Sequence, residues 1–139
     1  MAQAENWNRD EAWISLLLRL FVGVLFGVAS INKFIGGLEN VGMYFETMFK
    51  ETWLPPALVQ GFAGVIAYVE ALLAVWILSG LFLRWAWVAC GLMMISLAFG
   101  TMVAGQHAVA ANNTIYLLTM LAGLYVARYD PFHPELTKR

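Results

Sequence analysis

The stretch Trp85–Ala127, WAWVACGLMMISLAFGTMVAGQHAVAANNTIYLLTMLAGLYVA, holds 43 consecutive residues without Asp, Glu, Lys or Arg. As a single helix it would be about 65 Å long, roughly twice the thickness of a bilayer core, so it must turn back on itself. Its polar residues, Gly105-Gln106-His107 and Asn112-Asn113, mark the turn. The rest of the chain has the same character. Of 139 residues, 61% are apolar and 12% charged, whereas a soluble domain is about a quarter charged and below half apolar. The net charge of −1 gives no basic footprint for nucleic acid. A soluble globular enzyme, a disordered chain and a nucleic-acid binder are excluded. The composition is that of a small polytopic membrane protein.

Four apolar segments follow, at about 13–34, 55–78, 83–104 and 109–127. Each is long enough to cross a core of about 30 Å as a helix, and helix is the conformation that satisfies its own backbone in lipid. The predicted fold is therefore all-α: a four-helix transmembrane bundle forming one domain over 1–139. Gly36-Gly37 closes the first span, Pro55-Pro56 opens the second, and Ser79-Gly80 separates the second from the third. Trp7, Trp13, Trp53, Trp85, Trp87, Tyr125 and Tyr129 fall near span ends, as an aromatic belt would. Arg9, Arg19, Arg84, Arg128, Lys138 and Arg139 lie towards one side, and Lys33 and Lys50 towards the other. Six against two places both termini in the cytoplasm of a multi-pass plasma or inner membrane protein. Met1–Ala12 is acidic-polar with one basic residue, a poor signal peptide, so the first span is expected to be retained.

Between the first two spans, residues 38–51 predict a short amphipathic interfacial helix. Leu38, Val41, Tyr44, Phe45, Met48 and Phe49 share one arc, opposite Glu39, Asn40, Glu46, Thr47, Lys50 and Glu51. It caps the bundle, covers a ligand entrance or docks a partner.

Chemistry has few carriers. Cys90 is the sole cysteine, so an internal disulfide, a CxxC pair and a cysteine-based zinc site are excluded. No metal, haem or flavin motif is visible. Glu70 stands deep in the second span, with no other charge between Glu51 and Arg84, and must be protonated, paired or hydrated. Arg19 lies at a similar counted depth in the first span, which predicts an Arg19–Glu70 ion pair, either fixing helix packing or handling protons as a catalytic pair. A second polar set lies towards the opposite face: Asn32 and Lys33 at the end of the first span, Gln106 and His107 in the turn, and Asn112, Asn113 and Tyr116 opening the fourth. With one cation, one imidazole and several amides it could bind a small anion or a quinone carbonyl, or simply serve as snorkelling and helix-capping groups. Gly23 and Gly27 form a GxxxG step, and Ala63, Ala67 and Ala71 repeat every four residues, which predicts close packing within the chain or between protomers. Met93, Met94 and Met102 are expected in lipid or core, and Cys90 as a small buried apolar group.

From Leu16 onward, LRLFVGVLFGVASINKFIGG, GFAGVIAYVEALLAVWILSGLFLRW and ARYDPFHPEL together resemble the DoxX-like membrane proteins, related to the small subunit of thiosulfate:quinone oxidoreductase. The resemblance implies that Arg19, Lys33, Glu70 and Arg84 are recurrent polar positions. It also implies a redox-associated subunit coupling oxidation of a small sulfur compound such as thiosulfate to quinone, with quinone as cofactor and a further subunit as partner. The alternative is a non-catalytic accessory or assembly subunit that packs against a larger membrane complex. Small-solute or lipid transport is a third, weaker reading. Besides the lipid bilayer, the expected partners are other membrane or periplasmic subunits, or a second copy of the chain.

Overall fold

A computed structural model describes residues 10–131. Trp7, Arg9, Lys138 and Arg139, used above for the aromatic belt and the orientation, lie outside the described residues. The described chain is all-helical: α1 (Asp10–Gly36), α2 (Leu38–Phe49), α3 (Pro56–Ser79), α4 (Leu83–Val103) and α5 (His107–Val126), followed by a 3-10 turn (Ala127–Tyr129). Helices α1, α3 and α4, and α5 with its 3-10 extension, are each long and apolar enough to cross a membrane. The protein is a multi-pass membrane bundle.

Local chemistry sets the boundaries. Asp10 and Glu11 lie in the first turn of α1 and Lys33 in its last, each complementing the helix dipole. Pro56 opens α3, where its missing amide donor costs nothing. Gly80, at φ 73°, ends α3 in the left-handed conformation. The tight α3–α4 corner is held by Trp76, whose indole Nε1 donates to the Leu81 carbonyl at 2.8 Å. The turn within the charge-free run is shorter than predicted. Gly105, at φ 73°, makes it. Helix α5 begins at His107, so Asn112 and Asn113 lie inside the helix and not in the turn.

The bundle is built from two tightly packed antiparallel pairs, α1 with α3 and α4 with α5. In the first pair the small residues face inward. A Cβ added at Gly27 would meet the Ala74 methyl at 3.7 Å, and one at Gly23 would strike the Leu78 side chain. Ser30 Oγ donates to the Ala67 carbonyl at 2.8 Å, an approach that only small residues permit. The GxxxG step is therefore used within the chain. In the second pair, Gly123 accepts the face of Trp87, which is 1% exposed. Trp87 is thus a core residue and not a member of the aromatic belt; its Nε1 is buried without a partner. Trp13, Trp53, Trp85 and Tyr125 are half or more exposed, in keeping with interfacial positions. Cys90, Met93 and Met94 are buried, while Met102 is exposed.

The two pairs meet less closely, for α3 and α4 touch far less than either touches its antiparallel mate. At the end opposite the described termini, α2 lies across α3. It buries Phe45 and Phe49 and half-buries Val41 and Met48, which is the apolar arc read from sequence with Tyr44 left outside. Elsewhere the surface is strongly apolar: Leu17 and Val24 on α1, Leu72 and Val75 on α3, Leu92 on α4 and Ile115 on α5 are all exposed. A continuous apolar surface of this kind is stable facing acyl chains and not water.

Gly123→Ala should drive a methyl into the buried Trp87 ring and lower stability by about 1–3 kcal/mol, whereas Gly27→Ala should be neutral or better. Thermal unfolding in a single mild detergent measures both; equal melting temperatures for Gly123→Ala and wild type would show that the Trp87–Gly123 contact is not the closest point of the second pair.

Candidate functional site

The intramembrane charges are paired, but not as predicted. Lys33 Nζ donates to Glu70 Oε2 at 2.7 Å. Arg19 Nη1 donates to Asp130 Oδ1 at 2.8 Å, and Arg19 Nη2 to the Leu78 carbonyl at 2.8 Å. Ser15 Oγ donates to the other Asp130 oxygen at 2.9 Å, so both oxygens of that carboxylate are held. The expected Arg19–Glu70 pair does not form.

The reason is side-chain direction. Arg19 sits level with Leu78, and Ser30 with Ala67, so Glu70 lies eight residues from the Arg19 level, about 12 Å along α3. Helical side chains lean towards the N-terminus of their own helix. In an antiparallel pair this turns Arg19 and Glu70 away from each other, while Lys33, near the C-terminal end of α1, leans down and Glu70 leans up. Equal depth counted from span ends missed this. Asp130 and Ser15 were also missed. Asp130 lies three residues beyond the last expected span, yet the 3-10 turn after α5 carries it back against α1, where it is 1% exposed.

The second predicted set is divided. Asn32, Lys33 and Gln106 line one cavity. His107 and Asn112 are exposed, Asn113 is buried, Tyr116 is half-buried, and none of the four lines it. Lys33 does not snorkel outward. Its ammonium turns into the bundle, which leaves His107 without the cation expected beside it.

The cavity occupies the wedge between the two helix pairs, at the α2 end, with a volume of about 1280 Å³. Its walls come from the last turns of α1, the inner arc of α2, the first half of α3 and the second half of α4. Phe45, Phe49, Phe62 and Ile66 supply apolar wall. Lys33 and Glu70 both face it, and Glu70 is the deepest of its lining residues along α3, 14 residues or about 21 Å from the start of that helix. The Lys33 side chain is 24% exposed and the Glu70 side chain 4%, so the ammonium is the accessible half of the pair. An ammonium has three donors, and Glu70 is the acceptor it meets. Chemically the arrangement offers a charged hydrogen-bond donor in a largely apolar chamber whose wall also carries the amides of Asn32, Asn40 and Gln106.

Comparison with protein families gives a match to "Methylamine utilisation protein MauE" over residues 11–112, most of the chain. The chain belongs to the MauE family. Comparisons with curated proteins and with solved structures give no match. The match corrects the DoxX-like resemblance. That resemblance rested on apolar spans punctuated by Arg19, Lys33, Glu70 and Arg84, a pattern that four-span bundles need for packing and topology whatever they do. The thiosulfate:quinone oxidoreductase reading rested on the same resemblance and is overturned with it. In this MauE chain, Lys33, Glu70 and the cavity all fall within the matched residues. Asp130 falls beyond them.

A double-mutant cycle tests the pairing. Lys33→Met and Glu70→Gln should couple, each alone being more harmful than the two together, because a lone buried charge is left by either single change. Arg19→Met and Glu70→Gln should add within about 0.5 kcal/mol. Asp130→Ala, which strands a buried arginine, should cost about 3–5 kcal/mol. Chemical or thermal unfolding in detergent supplies these values, and strong coupling between Arg19 and Glu70 would refute the pairing described.

Proposed function

We propose that this chain is a membrane-embedded accessory protein of methylamine utilisation, acting by engaging a partner protein and not by turning over a substrate of its own. The observation that carries this reading is the MauE match over residues 11–112. The disposition of charge supports it. Glu70 and Arg19, expected from sequence as a proton-handling pair, are each tied to another element of the bundle, and so serve the architecture. The partner is another membrane or periplasmic protein, met within the bilayer or at its surface.

The lysine and arginine count supports a plasma or inner membrane location with both termini in the cytoplasm. The α2 end, with its acidic arc of Glu39, Glu46 and Glu51, then faces the outside, where a periplasmic partner would be met.

Deleting the gene in its native host should abolish or slow growth on methylamine and leave growth on other substrates unchanged, with rescue by the wild-type gene. A tagged copy cross-linked in intact cells during that growth should capture a specific membrane or periplasmic partner. Unimpaired growth on methylamine would overturn the proposal. For topology, a C-terminal alkaline phosphatase fusion should be inactive and a fusion in the 104–107 turn active; the reverse pattern would invert the orientation.

A further inference from the structure

Four features of the cavity together point to a ligand. First, at about 1280 Å³ it is at or above the upper end of the range of small-molecule sites, roughly 300–1,000 Å³. Second, its wall is mainly aliphatic and aromatic. Third, Leu58, Ile95 and Phe99 line it and are half or more exposed. The lining thus has exposed apolar side chains beside the exposed amides of Asn32 and Asn40, a mixture suited to an amphiphile. Fourth, the Lys33 ammonium faces the chamber while bonded to Glu70.

The charge balance selects the head group. Lys33 and Glu70 are one cation and one anion in contact at 2.7 Å, so the site presents no net charge. A carboxylate or phosphate brought to the ammonium would also be brought against the Glu70 carboxylate. A neutral carbonyl oxygen accepts a hydrogen bond from Lys33 without that repulsion. We propose that the cavity binds a membrane-dissolved amphiphile, with its apolar body between α2, α3 and α4 and a neutral carbonyl head accepting a hydrogen bond from Lys33 Nζ. Two sources carry that chemistry: the ester of a neutral glycerolipid and the ring carbonyl of a lipid-soluble quinone. The site is independent of the accessory role. It requires no electron transfer and no particular partner.

Gly36 gives a way to close the chamber. It lines the cavity on the same face of α1 as Ala29, Asn32 and Lys33, and a Cβ built there meets nothing within 4 Å. A side chain at this position leans towards the helix N-terminus and so into the chamber, and Gly36→Phe should occupy that space while leaving the ion pair in place. The full chain in detergent is titrated with four probes of equal tail length: a diacylglycerol, an alkyl benzoquinone, a fatty acid carboxylate and an alkylbenzene. Saturable binding of the diacylglycerol or the quinone, about tenfold tighter than the alkylbenzene or the carboxylate, is the expected result. Whichever of the two binds tighter names the source. Gly36→Phe should weaken that binding at least tenfold with its melting temperature unchanged. The neutral double variant Lys33→Met/Glu70→Gln should reduce the carbonyl probes to the level of the alkylbenzene and leave the alkylbenzene itself unaffected. The proposal is overturned if no probe saturates, if Gly36→Phe binds as well as wild type, or if the carboxylate or the alkylbenzene binds as tightly as the carbonyl probes.

Discussion

A charge inside a membrane must meet an opposite charge, and the lean of helical side chains decides which one it can reach. Helix α1 carries two cations, Arg19 and Lys33, 14 residues and about 21 Å apart. Because both lean the same way, each must find its anion on the N-terminal side of its own position. Lys33 finds Glu70 on α3, and Arg19 finds Asp130 beyond α5. One helix thereby fixes the register of α3 at one level and the position of the chain's C-terminal turn at another. The Leu78 carbonyl, an end group of α3 with no partner within its own helix, completes the Arg19 site and ties all three elements to one guanidinium.

The small residues then determine where the bundle is dense and where it is open. Gly23, Gly27 and Ala74 bring α1 against α3, and Gly123 brings α5 against Trp87 of α4. At the wide end of the wedge between the pairs, Phe49 reaches from α2 towards Gly100, where an added Cβ would lie 3.4 Å from the ring. Helix α2 is thus a strut across the wedge as well as a surface element. Close contact within pairs and a bridged gap between them leave the chamber with Lys33 and Glu70 in its wall.

The sequence was most legible where the signal was composition and periodicity. The charge-free run, the spans and the amphipathic arc of α2 all follow from spacing, and each helix lies within a few residues of its expected bounds. The turn forms at Gly105-Gln106, as read, but the reading extended it to Asn112-Asn113 because polar residues inside an apolar run resemble a break, although helix tolerates them where they face a surface or a partner. Trp87 was assigned to an interface by its distance from a span end, but only the glycine opposite it, 36 positions later, makes room for it in the core. The ion pairs depended on three-dimensional direction, which depth counting discards. The family was misjudged for a related reason. Polar fixed points such as Arg19 and Glu70 serve bundle architecture, and architecture is shared by proteins with different work.

The same reasoning changes what Glu70 can be. As an isolated carboxylate it would be a proton carrier in search of a partner. Bonded to Lys33 and 3% exposed, it is an anchor, and its main effect is on the lysine. Without Glu70 the ammonium would be drawn up towards the surface, as the free end of a long side chain usually is. With Glu70 it is held inside the largely apolar chamber, its charge balanced and its other donors unclaimed by any described residue. The polar pair is therefore both a brace between α1 and α3 and the charged feature of the chamber's wall. A packing device and a recognition device need not be separate residues when the device is a buried lysine with more donors than its partner can use.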